Sequence, residues 1–372
     1  MRWKGGLGMS KNENNSNSID GKVKEICDMM NNGWSRQVVL SGPPGTSKTY
    51  TAQKVIAKLL RDDDMEEIDL NNYRFRPKST QNGERKIETQ NKKGYWALVQ
   101  FHPSYNYEDF VRGIQVSTVT DKENKDNNIK YETANKILGE MAKQAKKQGE
   151  KQGKPTKYIL LIDEINRAPV ASVLGELIYA FEYRGQAVET PYAIQGDASL
   201  IIPENLYIIA TMNTADRTIG TIDYAVRRRF AFVNLLPDKD IIEKYYSESS
   251  GELKATALIL YNAVASLFGD DGTNTQPAAT NYLGPDIYAE DVQVGHTYFL
   301  AKDKKELYHK FTYQVLPILK EYVKDGILVE KGSPSTIDLQ IKIENHEKKF
   351  NLKDSPKVIF DEWKNFWNTL GD

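Results

Sequence analysis

Cysteine is almost absent from this 372-residue sequence. The lone Cys27 excludes an intrachain disulfide framework and any multi-cysteine zinc site, which suits a reducing, cytoplasmic setting, and Cys27 itself reads as an ordinary packing residue. Nor is there an excess of either charge. With 50 Lys+Arg against 51 Asp+Glu the formal net charge is -1, so no global field draws the chain to nucleic acid or membrane, and any contact with DNA has to come from a local patch or a partner. No stretch approaches 18 apolar residues, so no membrane span is expected, and the amino-terminal MRWKGGLGMSKNENNSNS has no apolar core of the kind a signal peptide needs. Residues 1–18, polar and rich in Asn, Ser and Gly, read as a disordered leader, with Met9 a candidate alternative start. No internal repeat is visible.

What is present is an alternation of short apolar runs and helical patterns over a length that fits roughly two domains. Arg36 to Ser41 (RQVVLS) is a β-branched run that enters a Gly/Pro-rich turn and then a helical stretch, Lys48 to Leu60. WALVQF (Trp96 to Phe101), YILLI (Tyr158 to Ile162) and LYIIA (Leu206 to Ala210) lack alternation, as strands covered on both faces do. Val173, Leu174, Leu177, Ile178 and Phe181 recur at helical spacing and predict the crossover helix a parallel sheet requires. The class is therefore α/β with a central parallel sheet. After Pro237 the style changes: Leu258, Ile259, Tyr261, Val264 and Leu267 fall at three- and four-residue spacing, which predicts a smaller helical domain. The expected organisation is a leader over 1–18, a large α/β domain over 19–237, a helical lid over 238–325, and a carboxyl-terminal extension over 326–372. In that extension Ile359, Phe360, Trp363, Phe366 and Trp367 share one helical face, which packs on the lid or docks a partner, packing being the expectation. Two charged stretches, Arg61 to Lys93 and Asp121 to Lys157, read as surface insertions with a helix near Ala134 to Gln148. The lysines there (Lys143, Lys146, Lys147, Lys151) are expected to form a solvated face rather than a DNA contact.

Gly42, Pro43, Pro44, Gly45, Thr46, Ser47, Lys48 and Thr49 follow the first strand directly and open the first helix, the context that turns a Gly-rich match into a P-loop. Consecutive loop N–H groups and the positive end of the helix suit a phosphate; Lys48 reaches its outer oxygens and Thr49 supplies a hydroxyl to Mg²⁺. Ser47 stands where the pattern has Gly; its side chain crowds the closest backbone approach to phosphate unless the residue takes helical φ/ψ, where a Cβ is permitted. The YILLI run ends in Asp163 and Glu164, at the carboxyl end of a strand beside the loop, where doubly wound sheets bind ligands. Asp163 is expected to hold Mg²⁺ through its water shell and Glu164 to orient the attacking water.

The LYIIA run continues into Thr211-Met212-Asn213-Thr214-Ala215-Asp216-Arg217, and Arg227-Arg228-Arg229 precede a further strand, Phe230 to Leu235. The strand-end Asn213 resembles the sensor-1 residue of AAA+ proteins. The phrase MNTADR resembles the signature loop of McrB-like GTPases, as do IDEINRA (Ile162 to Ala168), DYAVRRRF (Asp223 to Phe230), FHPSYNYEDFVRGI (Phe101 to Ile114) and VGHTYFL (Val294 to Leu300), in the family's order over residues 36 to 322. The resemblance implies an AAA+ P-loop NTPase with a helical lid: a ring-forming, hexameric GTPase that uses Mg²⁺ and drives an associated McrC-like endonuclease. It also implies that Asn213 and Asp216 help place the hydrolytic water, and that Arg228 and Arg229 act as arginine fingers on a neighbour's nucleotide. Arg167 and Arg217 read equally as structural ion pairs.

GTP rather than ATP follows from the resemblance alone, since the Asn-Lys-x-Asp base-reading motif is missing. His296 stands where many AAA+ relatives carry a sensing arginine; it either watches the phosphates or packs as a hydrogen-bonded residue, the latter being expected. His102 is expected to be structural. McrB proteins usually carry an amino-terminal domain that reads modified DNA. Only about 35 residues precede the P-loop strand, so the expectation is either that the reader belongs to another subunit, DNA being reached through the complex or a separate reader, or that this is a truncated or specialised motor. No set of nuclease residues stands out. Two other readings compete, a MoxR-like ATP-driven remodelling chaperone and a scaffold that binds nucleotide without hydrolysing it.

Overall fold

The computed structural model describes residues 18–61, 67–75, 94–120, 127–149, 156–216, 222–248, 251–269, 282–330 and 336–370. The leader read over residues 1–18 lies outside this set except for Ser18, as do Arg217, Lys151 and most of the first charged stretch. Ser18 N-caps a helix, Ile19–Asn31, that the sequence reading missed, its Oγ accepting from the Gly21 N–H at 3.1 Å.

Five strands form the central sheet: β1 (Gln37–Gly42), β2 (Gly94–Gln100), β5 (Lys157–Asp163), β8 (Leu206–Asn213) and β9 (Ala231–Asn234), in the order β2-β5-β8-β1-β9. Every pairing is parallel. Both faces are covered, as the unalternating runs require. Along β5, Tyr158, Leu160 and Ile162 enter one core while Ile159 and Leu161 enter the other, where helices Ile19–Asn31 and Lys48–Leu60 pack. The expected crossover helix is two short ones, Val170–Leu174 and Leu177–Glu182, divided at Gly175, whose φ of 51° breaks the helical path.

Three antiparallel hairpins went unread in the sequence. β3 (Arg112–Thr120) pairs with β4 (Asn127–Asn135), β6 (Ala187–Ile194) with β7 (Asp197–Ile201), and β10 (Asp338–Ile343) with β11 (His346–Asn351). The buried Arg112 guanidinium joins the first two: it donates to Asn135 Oδ1 and Thr190 Oγ1, both at 2.9 Å, and to the Ala198 and Ser199 carbonyls at 3.0 and 2.7 Å. The helix read near Ala134 to Gln148 forms as Ile137–Gly149, with Lys143, Lys146 and Lys147 exposed.

Beyond Pro237 a second core gathers around Leu253, Leu260, Val264, Phe299, Leu307 and Phe311. The carboxyl-terminal segment adds to this core. Leu339, Ile341 and Phe350 of the last hairpin join it, as do Ile359, Trp363 and Phe366 of helix Pro356–Thr369, and the Trp363 indole N–H donates to Thr312 Oγ1 at 2.8 Å. The aromatic stripe is therefore packed against the lid, with Phe360 and Trp367 partly buried at its margin. Among the described residues, no helix is long and apolar enough to cross a membrane.

Candidate functional site

Parallel register decides which side chains meet. Gly42 at the end of β1 lies opposite Asn213 on β8, and Ile162 on β5 lies opposite Ala210, so the carboxyl ends of three adjacent strands finish level. The loop from Gly42 to Thr49 turns over this edge. Gly45 adopts φ 80°, and a Cβ there would meet the Tyr298 ring at 2.5 Å, so only glycine fits. Thr46 Oγ1 donates to the Pro43 carbonyl at 2.9 Å and closes the turn. Lys48 Nζ donates inward to the Gly42 and Pro43 carbonyls at 2.9 and 2.7 Å. Burial pushes this ammonium down to about 8, against the opposing pull of Glu164 and Asp163.

Ser47 departs from expectation. It holds φ 64°, ψ 24°, left-handed and not helical, a conformation that costs a residue with a Cβ about 1 kcal/mol. The loop needs that turn to bring the following amides over the strand edge, which is why glycine is usual there. The Ser47 side chain is held by the lid, its Oγ lying 2.9 Å from His296 Nε2.

The carboxylates sit where the sequence put them, but a residue not singled out as a site residue organises them. Asp163 Oδ1 accepts from Thr49 Oγ1 at 3.0 Å and from Thr211 Oγ1 at 2.6 Å, while the Glu164 N–H donates to that same Thr211 Oγ1 at 3.0 Å. Thr211 thus ties both acids to the strand that carries Asn213; in sequence it is simply a strand residue two positions before the asparagine. Glu164 takes φ 56°, ψ 51°, and burial raises its carboxyl above the usual range against the lowering effect of Arg167. Glu164 Oε2 is buried and accepts no hydrogen bond among the described residues, Arg167 Nε standing 3.7 Å away, an arrangement that a bound group would complete.

Around this centre, Asn166 Nδ2 donates to the Asn213 carbonyl at 3.0 Å, and Asn213 Oδ1 accepts from the Ala215 N–H at 3.3 Å. Arg167 stands between two acids, 3.7 Å from Glu164 and 3.7 Å from Asp216. The structure separates the arginines that the sequence grouped. The Arg227 guanidinium lies over the Phe232 ring at 4.8 Å. Arg229, 8% exposed, turns inward to Glu182 at 2.7 Å and donates to the Ala225 carbonyl at 2.7 Å. Arg228 is 67% exposed and only 3.9 Å from Glu182, so it alone of the pair extends from the surface.

His296 is buried beside the loop, and burial pushes its imidazole down to about 4, leaving it neutral. A cavity of about 530 Å³ opens next to it, lined by Thr46, Thr51, Asp238, Ile241 and Tyr261, a size typical of small-molecule sites. His102 stands apart, its ring edge-on to Tyr105 at 5.4 Å between centroids.

Comparison with known proteins agrees with this geometry. A model of the AAA domain (dynein-related subfamily) matches residues 82–230, and one of the McrB α-helical lid domain matches residues 281–327. Over 209 residues the chain is 35% identical to the type IV methyl-directed restriction enzyme EcoKMcrB subunit of Escherichia coli (strain K12), covering 55% of this chain and 36% of that protein. Over 98 residues it is 34% identical to the type II restriction enzyme BsuMI component YdiS of Bacillus subtilis (strain 168), covering 23% of this chain and 28% of that one. The matches therefore span about a third of the length of these relatives. A five-stranded parallel sheet, the match to an AAA domain and the match to an McrB lid together make this chain an McrB-like AAA+ module, a member of the P-loop nucleoside triphosphatases.

Proposed function

We propose that this chain is the Mg²⁺-dependent motor of a McrBC-like DNA restriction complex, hydrolysing GTP in preference to ATP and working as a hexameric ring that drives a McrC-like endonuclease. The observation that carries the hydrolytic part is the hydrogen-bonded chain Thr49–Asp163–Thr211–Glu164 at the carboxyl edge of β1, β5 and β8, with Glu164 Oε2 buried, 3.7 Å from Arg167 Nε and accepting no hydrogen bond among the described residues.

In this reading Gly42 to Thr49 bind the phosphates through loop amides and the Lys48 ammonium. The oxygens of Thr49 and Asp163 form a hard donor set that fits Mg²⁺, and the ion, when bound, neutralises charge developing on the phosphates. Glu164 holds the attacking water by Oε2, which accepts no hydrogen bond from the described residues, and Asn213 and Asp216 set that water's position. A nucleoside in the cavity beside Thr46 and Asp238 brings its phosphates to the loop. Of the two arginines expected as fingers, Arg228 serves a neighbouring subunit's site, while Arg229, held inward by Glu182, does not reach out with it; hydrolysis is thereby conditional on assembly. The α/β domain is assigned to residues 19–237 and the lid to 238–325, with 326–372 extending the lid. DNA is contacted through the complex.

Phosphate release from GTP and from ATP, with and without the product of a neighbouring nuclease-like reading frame, tests the assignment. Faster GTP turnover that the partner stimulates supports it; strong ATP turnover with no response to the partner points to a remodelling chaperone instead. Nucleotide binding without turnover under every condition would leave a scaffold.

A further inference from the structure

The lid reaches the phosphate loop through residues 295–297. The Gly295 N–H donates to the Pro44 carbonyl at 2.9 Å and the Thr297 N–H to the Gly45 carbonyl at 3.0 Å. The approach is close enough that a Cβ on Gly295 would fall 2.2 Å from the Gly45 backbone. Between these two bonds His296 reaches Ser47, the residue that occupies a glycine position in a glycine conformation.

Hydrogen-bond accounting gives that contact a direction. The Asp238 N–H is a donor and lies 3.3 Å from His296 Nδ1, so Nδ1 accepts. A neutral imidazole then carries its proton on Nε2, and that N–H donates to Ser47 Oγ at 2.9 Å. The Ser47 hydroxyl keeps its own proton to give, and among the described residues no acceptor takes it. Ser47 belongs to the loop read as the cradle and immediately precedes Lys48 and Thr49.

We propose that Ser47 and His296 form a lid-borne phosphate reader: the docked lid fixes His296, His296 orients the Ser47 hydroxyl, and that hydroxyl donates to a phosphate oxygen of the bound nucleotide. The proposal rests on the reading of Gly42 to Thr49 as the phosphate cradle. It explains why a strained serine is kept where glycine would cost nothing. It also makes lid position and nucleotide occupancy two ends of one hydrogen-bonded chain, so each biases the other. Ser47 is in this sense a binding residue and His296 a positioning residue.

The test is equilibrium binding of fluorescently labelled GTP and ATP to the full chain with Mg²⁺, for the parent, Ser47→Gly, His296→Ala, the double variant and Lys48→Ala. Ser47→Gly relieves the left-handed strain but strands the buried His296 Nε2–H, two effects of similar size and opposite sign, so it folds and its nucleotide-free melting temperature is expected to stay within a few degrees of the parent's. Its affinity is expected to fall about tenfold, the worth of one hydrogen bond to a charged group. His296→Ala should weaken binding similarly, and the double variant no further than Ser47→Gly alone, because the two groups act in series. Ser47→Gly binding within about twofold of the parent, or losses that multiply in the double variant, would overturn the reader. Parent-like binding by Lys48→Ala would instead overturn the cradle on which it rests.

Discussion

Replacing Thr211 by Val isolates the joint on which the two acids hang. The two side chains are nearly the same shape, so the change removes a hydroxyl without opening a cavity. That hydroxyl donates to Asp163 at 2.6 Å and accepts from the Glu164 N–H at 3.0 Å, in a residue that is 2% exposed. The bond to a carboxylate contributes about 1.5–3 kcal/mol and the second bond about 1 kcal/mol, and its loss strands a backbone donor. A total near 3 kcal/mol translates into a fall of roughly 6–10 °C in melting temperature for a domain of this size. Turnover should suffer more than stability. Glu164 sits at φ 56°, and once its N–H is released the turn relaxes; a displacement of about 1 Å in a positioning group is enough for a loss on the order of 100-fold. Scanning fluorimetry and phosphate release at saturating nucleotide measure the two effects, with Thr211→Ser as the control that keeps the hydroxyl and most of the activity. A Thr211→Val protein that melts within about 2 °C of the parent and hydrolyses at its rate would refute the claim that Thr211 positions the acids.

Lys48→Met tests the buried ammonium. Its folded-state value near 8 lies below its ordinary 10.5, so folding penalises the charged form below pH 8, and the penalty disappears as pH rises through 8 towards 10.5. The methionine variant should abolish triphosphate binding yet raise the stability of nucleotide-free protein by about 1 kcal/mol at pH 7, after allowing for the two lost bonds to carbonyls; urea titrations at pH 7 and pH 9.5 should show this gain shrinking. Arg228→Ala is expected to bind nucleotide like the parent while hydrolysing it on the order of 1000-fold more slowly, and wild-type turnover in a phosphate-release assay would remove Arg228 as a finger. Arg229→Ala is expected to lower the melting temperature as well, since it removes the pair with Glu182 and the bond to the Ala225 carbonyl. Trp363→Ala leaves a void in the lid core and removes the indole N–H that Thr312 Oγ1 accepts; a loss of about 3–5 kcal/mol is expected, seen by chemical denaturation, and a loss under about 1 kcal/mol would show the carboxyl-terminal helix to be peripheral.

The parallel strands were legible because each is an apolar run covered on both faces, a pattern that survives without knowledge of its neighbours. The hairpins were not, for different reasons. β3 and β4 expose Ile114, Val116, Ile129 and Tyr131 and bury little besides Arg112, so no solvent-to-core alternation marks them. Leu339, Ile341 and Ile343 do alternate, but the two-residue turn is Glu344-Asn345, with Glu344 at φ 52° in the first position rather than the Asn-Gly, Asp-Gly or Gly-first pair that announces a hairpin. The divided crossover helix was hidden because Val173, Leu174, Leu177 and Phe181 keep their helical spacing across the break at Gly175.

By itself the sequence determined the chemistry available at the sheet edge: a glycine-proline loop entering a helix, a lysine and a threonine at its end, two acids after one strand and an asparagine after another. These are local features, set by side-chain chemistry within a few residues. Only the tertiary structure decided which of them touch. Register between strands more than a hundred residues apart brings Thr49 to Asp163 and interposes Thr211, the lid reaches the Ser47 side chain through His296, and Glu182 draws Arg229 inward while Arg228 stays in solvent. Such contacts depend on how helices on both faces of the sheet pack and fix strand register, and no short stretch of chain encodes that packing alone.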